Sequence, residues 1–233
     1  ALMKLADIKA NNLTDQDIGF GIAPRLNALG RIADANDGVK LLTSLDENES
    51  QKLAKEVDQA NKERQNLVAE IMKEAEKQAN SSANQQKRTL LIVGKGWHQG
   101  VLGIVASRIM NETGKPTIIA STDQNNPTLI KGSGRSVDSF NLFNALEAHC
   151  ELFTTFGGHP AACGLSFDQK NIVPLQIALE EETGKQKFDP MVKQPLPIAM
   201  KLAPADVTQQ LYNDIQRVAP FGPGNMEPVS ELN

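Results

Sequence analysis

Histidine and cysteine are scarce in this chain, three and two among 233 residues. His98, His149 and His159 stand far apart, no Asp-His-His triplet occurs, and no carboxylate–histidine group has metal-ligand spacing. A complete hydrolytic site cannot be assembled from such a set. Cys150 and Cys163 share no short-range spacing, which argues against a zinc site or disulfide scaffold and for a reducing compartment, with both thiols as small core residues. No apolar run approaches the ~20 residues of a membrane span. The first residues also lack the charged-then-apolar pattern of a signal segment, so a soluble cytoplasmic protein without membrane contact is expected. A global basic footprint is missing too, the formal net charge being −4. Repeats and low-complexity tracts are absent, and the chain starts on Ala and stops soon after a Pro/Gly-rich turn, as a piece of a longer protein would.

What is present is segregated. From Lys87 to Arg135 stand Lys87, Arg88, Lys95, Arg108, Lys115, Lys131 and Arg135 against only Glu112 and Asp123, a locally basic stretch suited to phosphate. The length allows one full domain plus smaller pieces. Thr14-Asp-Gln-Asp reads as a helix start, Gly19–Pro24 as a loop, and Asp34-Ala-Asn-Asp as the cap of a short helix through Val39, Leu41 and Leu42. Between Glu47 and Ala79 there is no Gly or Pro. Apolar or small residues recur there at 53, 57, 60, 67, 71 and 75, with Arg64 in the seam, which predicts a connecting helix about 50 Å long. After the polar hinge 80–86, strands at 89–93, 117–120, 128–132 and 164–167 alternate with helices at 100–111, 139–148 and 171–182. That order predicts an α/β domain on a mixed sheet. A linker spaced by Pro190, Pro195 and Pro197 leads to a short strand, an amphipathic helix near Ala205–Val218 and the turn Pro220–Asn225.

Four places could carry chemistry. Lys131-Gly-Ser-Gly-Arg-Ser136 and Phe156-Gly-Gly-His-Pro160 read as two backbone turns around phosphate-binding groups, the glycines permitting close approach of an anion to the Ser133 hydroxyl, the Arg135 guanidinium and the His159 imidazole. The bland alternatives are a salt-bridged surface arginine and a histidine capping a helix that begins near Pro160. Gly94-Lys-Gly-Trp-His-Gln-Gly100 could offer free N–H groups at a helix start or be a structural turn. Its Trp97 could stack a base or plug a core. Arg25, Asn27 and Arg31 fall in one seven-residue run, read as lying close around one helix, with nucleic-acid or purely structural roles.

Taken together, Ala23–Arg31, Trp97–Arg108, Gly132–Ser136, Phe156–Gly164 and Pro220–Pro228 resemble the single-strand-specific exonuclease family RecJ, of the DHH phosphoesterase superfamily. The resemblance implies that residues 1–45 are the tail of a DHH catalytic domain, 46–87 the long connecting helix and hinge, 88–184 the DHH-associated domain, and 190–233 the start of an OB-fold. It implies 5′→3′ hydrolysis of single-stranded DNA in repair and recombination, with divalent cations (Mg or Mn) held by the DHH domain upstream of residue 1 and none here. Ser133 and Arg135 would seat the 5′ phosphate. His159 with Gly157 and Gly158 would hold the phosphate at or beside the scissile bond, and Arg25, Asn27 and Arg31 would lie near the passage for the strand. Implied partners are single-stranded DNA, a single-strand-binding protein and a helicase, acting on a monomer. The isolated chain is expected to be inactive. Alternatives are a phosphodiesterase of short oligonucleotides or cyclic dinucleotides, and a noncatalytic nucleic-acid-binding scaffold.

Overall fold

The structure is a computed structural model and describes residues 1–9, 11, 13–123, 126–192 and 196–233, so Pro195 of the linker lies outside the described residues. The chain divides into two compact units, Ala1–Asn61 with Lys193–Asn233, and Lys62–Val192.

In the first unit α1 (Leu2–Leu5) precedes a π-helical turn at Asp17–Ile22, α2 (Ala23–Ile32), α3 (Asn36–Thr43) and the start of α4 (Glu47–Ala79). The Thr14 backbone N–H and hydroxyl donate to Asp17 Oδ2 while Asp17 N–H donates to Thr14 Oγ1, a reciprocal cap. The Thr14 hydroxyl, then its backbone N–H, hold the Asp17 carboxyl below its ordinary value. Gly19–Pro24 is helical, where a loop was expected: Pro24 sits in the first turn of α2, where its missing N–H leaves no bond unmade. Asp34 Oδ1 accepts from Asn36 N–H at the start of α3. The core is small and built from Ala28 and Leu29 of α2, Leu41 of α3, and Leu53, Ala54, Val57 and Ala60 of α4.

α4 runs 33 residues, as its freedom from Gly and Pro predicts. The expected stripe is buried at Leu53, Val57, Ala60, Ile71 and Ala75, whereas Leu67 is half-buried and its neighbour Val68 takes the buried position.

The second unit continues through α5 (Ser82–Gln85), β1 (Leu90–Lys95), α6 (Gln99–Thr113), β2 (Thr117–Thr122), β3 (Leu129–Arg135), α7 (Leu142–Glu147), β4 (Phe153–His159), β5 (Ala162–Asp168) and α8 (Ile172–Lys185). The sheet order is β1-β2-β3-β5-β4, with β1 and β2 parallel and every other pair antiparallel. α6 makes the crossover that a parallel pair requires. It buries Val101, Leu102, Val105, Ala106 and Ile109 and ends on Gly114 at φ 68°, a left-handed cap that glycine adopts without strain. The opposite sheet face joins Ile118, Ile130, Leu165 and Phe167 to Leu142, Leu146, Leu175 and Leu179 of α7 and α8.

Two expectations fail here. Gly132–Arg135 and Phe156–His159 are strand residues, and only Pro160 and Ala161 turn the chain between β4 and β5. β4 was missed because its glycine pair reads as a turn. In an edge strand with one partner, glycines are tolerated and few side chains are buried.

After the linker, β6 (Met200–Leu202), α9 (Gln209–Gln216) and β7 (Ser230–Leu232) follow, Thr208 Oγ1 capping α9 by accepting from Leu211 N–H. β7 pairs parallel with β6, so the last strand has a partner. Two three-residue strands do not make a barrel, and the OB-fold reading rests on the resemblance alone.

Candidate nucleic-acid interface

Sheet register, rather than a pair of turns, brings the phosphate-binding candidates together. Ser133 on β3 pairs with Gly164 on β5, which pairs with Gly157 on β4. One step along, Arg135 pairs with Ala162, and Ala162 with His159. Directly paired residues, and residues two apart on a strand, share a face. Ser133, Arg135, Gly157 and His159 therefore stand on one face.

α6 covers only part of that face. A methyl group at Gly103 would sit 2.7 Å from Arg135 Nη2 and 3.0 Å from Ser133 Oγ, so this mid-helix glycine makes room for both side chains. Nothing stands within 4 Å of the corresponding positions at Gly157 and Gly164, so the sheet beyond α6 is an open glycine floor. Arg135 Nη1 donates to Ser133 Oγ at 3.1 Å and to the Gly134 carbonyl at 2.7 Å, which orients the guanidinium along the strand and keeps the hydroxyl at its side. The intervening Gly134 faces the other way, where a Cβ would meet Leu142 at 2.7 Å. Ser136 is buried and its hydroxyl donates to the Phe140 carbonyl at 2.7 Å. The part of the motif on the α6-covered face thus ends at Arg135.

On the edge strand, His159 is exposed, and Gly158 beside it adopts φ 151°, where a Cβ would lie 2.2 Å from the Ala162 carbonyl oxygen. Only glycine fits. The Leu142 N–H donates to the Pro160 carbonyl at 3.0 Å, fixing the turn, and the Cys163 thiol donates to the His159 carbonyl at 3.6 Å from the opposite face. Burial raises the Cys163 thiol above its ordinary value, against smaller lowering effects of that bond and of Arg135. It is a protonated donor at neutral pH.

Four other candidates lie elsewhere. Trp97 is only 9% exposed and its indole N–H donates to Glu74 Oε2 of α4 at 3.2 Å. Its ring covers Gly94, where a Cβ would come within 2.0 Å of Cε2, so Trp97 packs and offers no face to a base. The Gly-rich loop before α6 serves that packing, and His98 Nδ1 accepts from Gly100 N–H at 3.2 Å, filling the helix start. Arg25 is tied to Asp58 at 2.9 Å and donates to the Gly21 carbonyl at 2.7 Å, both partners largely buried, which is a structural role. Asn27 and Arg31 are exposed and line a shallow cavity of about 460 Å³ with Leu26, Gly30 and Ala35. Arg25 and Arg31 part company because six residues at 100° each leave them roughly 120° apart around the helix.

Sequence reasoning missed Gly103 and Gly164. A glycine inside an apolar helix signals close packing at that point, and Gly103 carried that signal. Gly164 carried none. Among the described residues no group of three or more His, Cys, Asp or Glu could hold a metal ion.

Residues 86–183 match the DHHA1 domain. The single-stranded-DNA-specific exonuclease RecJ of Bacillus subtilis is 34% identical over 97% of this chain and 29% of that protein, and its Escherichia coli counterpart 34% identical over 98% and 41%. The crystal structure of RecJ in complex with Mg²⁺ from Thermus thermophilus superposes with a TM-score of 0.82 at 26% identity, covering 97% of this chain and 34% of that one. The Mn²⁺ complex from the same source matches equally, with a TM-score of 0.82. The chain thus spans less than half the length of these relatives, 29% to 41% for the two proteins above. With 34% identity across 97% of its length and a fold that superposes at a TM-score of 0.82, it belongs to the RecJ family.

Proposed function

We propose that this chain is the substrate-holding part of a 5′→3′ single-stranded-DNA exonuclease acting in DNA repair and recombination. The observation that carries the reading is the pair of register rows that set Ser133 and Arg135 beside an open glycine floor with His159 across it. Ser133 and Arg135 seat the 5′ phosphate. An arginine fork and a hydroxyl bind a phosphate dianion more selectively than a lysine point charge. Gly157 and Gly158 let the backbone come close, and the exposed His159 contacts the phosphate at or beside the bond to be cut. Asn27 and Arg31 border the strand's passage.

In this reading residues 1–45 close a DHH catalytic domain, 46–87 connect, 88–184 hold the substrate and 190–233 begin an OB-fold. Divalent cations reside in the catalytic domain. The part played here is positioning, which converts encounter into correct alignment before chemistry. Single-stranded DNA is the partner, a single-strand-binding protein and a helicase its companions, and the chain a monomer, inactive as a nuclease by itself.

Fluorescence anisotropy with 5′-phosphorylated and 5′-hydroxyl oligonucleotides tests the assignment. The phosphorylated strand should bind more tightly, and Arg135→Ala should remove the difference, a loss of about 10–100-fold for one charge-assisted contact. Equal affinity of the unaltered chain for both strands would refute it.

A further inference from the structure

The same register that aligns Ser133 and Arg135 carries a third row, which opens on Lys131 at the head of the first motif and which the proposed function does not use. Lys131 on β3 pairs with Ser166 on β5, which pairs with Thr155 on β4. This row lies two residues before the Ser133 row and on the same face. It borders a cavity of about 300 Å³ lined by Gln99, Leu102, Lys131, Thr155, Leu165 and Ser166.

We infer that Lys131, Thr155 and Ser166 form a second backbone subsite, for the phosphate next to the one at Ser133, Arg135 and His159. The inference rests on that first assignment.

Proton counting supports it. Thr155 Oγ1 and Ser166 Oγ lie 2.5 Å apart and share one hydrogen bond. Two hydroxyls carry two protons, the shared bond uses one, and among the described residues no other side-chain partner takes the second. Either hydroxyl can donate in the shared bond, and both Thr155 and Ser166 border the cavity, so whichever O–H is left over is placed to donate into it. A phosphate oxygen accepts such a proton readily. Lys131 Nζ stands 2.9 Å from Asp123 Oδ2, and Gln99 Nε2 lies 3.5 Å from the same oxygen. One of the three ammonium protons is committed to that carboxylate, which holds the head in place, and the side chain remains 40% exposed.

Spacing points the same way. Successive rows are about 6–7 Å apart, the rise of two strand residues, a step similar to that between neighbouring phosphates of an extended strand. On β4 and β5, Gly157 and Gly164 separate the hydroxyl pair from the His159 row, with no atom above them within 4 Å of a Cβ position. A sugar can cross there without displacing a side chain. Contacts of this kind track the backbone and read no base.

The test measures binding of thymidine 5′-monophosphate and of 5′-phosphorylated tetrathymidylate to the whole chain by calorimetry. Lys131→Ala and Ser166→Ala should weaken the tetranucleotide at least fivefold and leave the mononucleotide within twofold. Lys131→Ala should also reduce the slope of log K against log salt for the tetranucleotide by about 0.7, one single-strand phosphate contact, while Lys131→Arg restores it. Arg135→Ala should weaken both ligands. Equal losses on both ligands for Lys131→Ala and Ser166→Ala, or no loss on the tetranucleotide, would overturn the second subsite alone. Failure of the unaltered chain to bind either ligand would overturn it together with the 5′-phosphate assignment.

Discussion

At the scale of single residues, two positions on the β4–β5 hairpin decide whether the candidate site keeps its shape. A Cβ at Gly158 would strike the Ala162 carbonyl at 2.2 Å and demand a φ of 151° from an L-residue. Gly158→Ala should therefore destabilise the protein by about 1–3 kcal/mol, read from urea unfolding, whereas Gly157→Ala, in open space, should leave the midpoint nearly unmoved. The thiol of Cys163 favours its protonated form when folded, because burial raises it. Its contribution to stability is fully present below the ordinary thiol value of about 8.5 and declines as pH climbs from there through the raised folded value. Cys163→Ala should flatten the alkaline fall in midpoint between pH 8 and 10, and an unchanged slope would show that other groups cause it. Ser133, Arg135 and His159 were legible as residue types, because a hydroxyl, a guanidinium and an imidazole among glycines suit an anion. That the glycines at 134 and 158 are forced by Leu142 and by the Ala162 carbonyl was not, since both constraints come from distant or folded-back chain.

At the scale of elements, the parts written in periodic apolar residues were readable and the parts written in glycine were not. β1, β2, α6 and α8 follow their apolar patterns to within a few residues, and α4 follows its lack of helix breakers. β4 was invisible: Gly157 and Gly158 in its middle look like a turn until β5 supplies a partner. The segment before α6 shows the reverse error in miniature. Gly94 and Trp97 suggested a ligand loop, yet the indole lies on Gly94 and is clasped by Glu74. Gly94→Ala should cost about 1–3 kcal/mol through overpacking. Saturating oligonucleotide should leave the emission of Trp97, the sole tryptophan, unquenched, since a packed indole has no base to stack on, and strong quenching would reverse this assignment.

At the scale of the whole molecule, the units differ in how much apolar surface they bury. The sheet of the second unit is lined on one face by a core reaching from Leu91 to Phe188, while the first unit's core rests mainly on α2, α3 and the first half of α4. Amide hydrogen exchange followed by mass spectrometry should find β2 and β5 the slowest segments, and α1, β6 and β7 among the fastest. Uniform protection across both units would contradict that gradient. The net charge of −4 gave no hint of a nucleic-acid partner, because the basic residues near the sheet are offset elsewhere in the sequence.

The border between the two units falls between Asn61 and Lys62, in the interior of α4. Severing the chain there would strip several backbone amides and carbonyls of their partners on either side of the cut. Cutting instead at Ser81, past the end of the rod, would deprive Trp97 of Glu74. Neither half can be transplanted as a free-standing module without rebuilding its share of that helix.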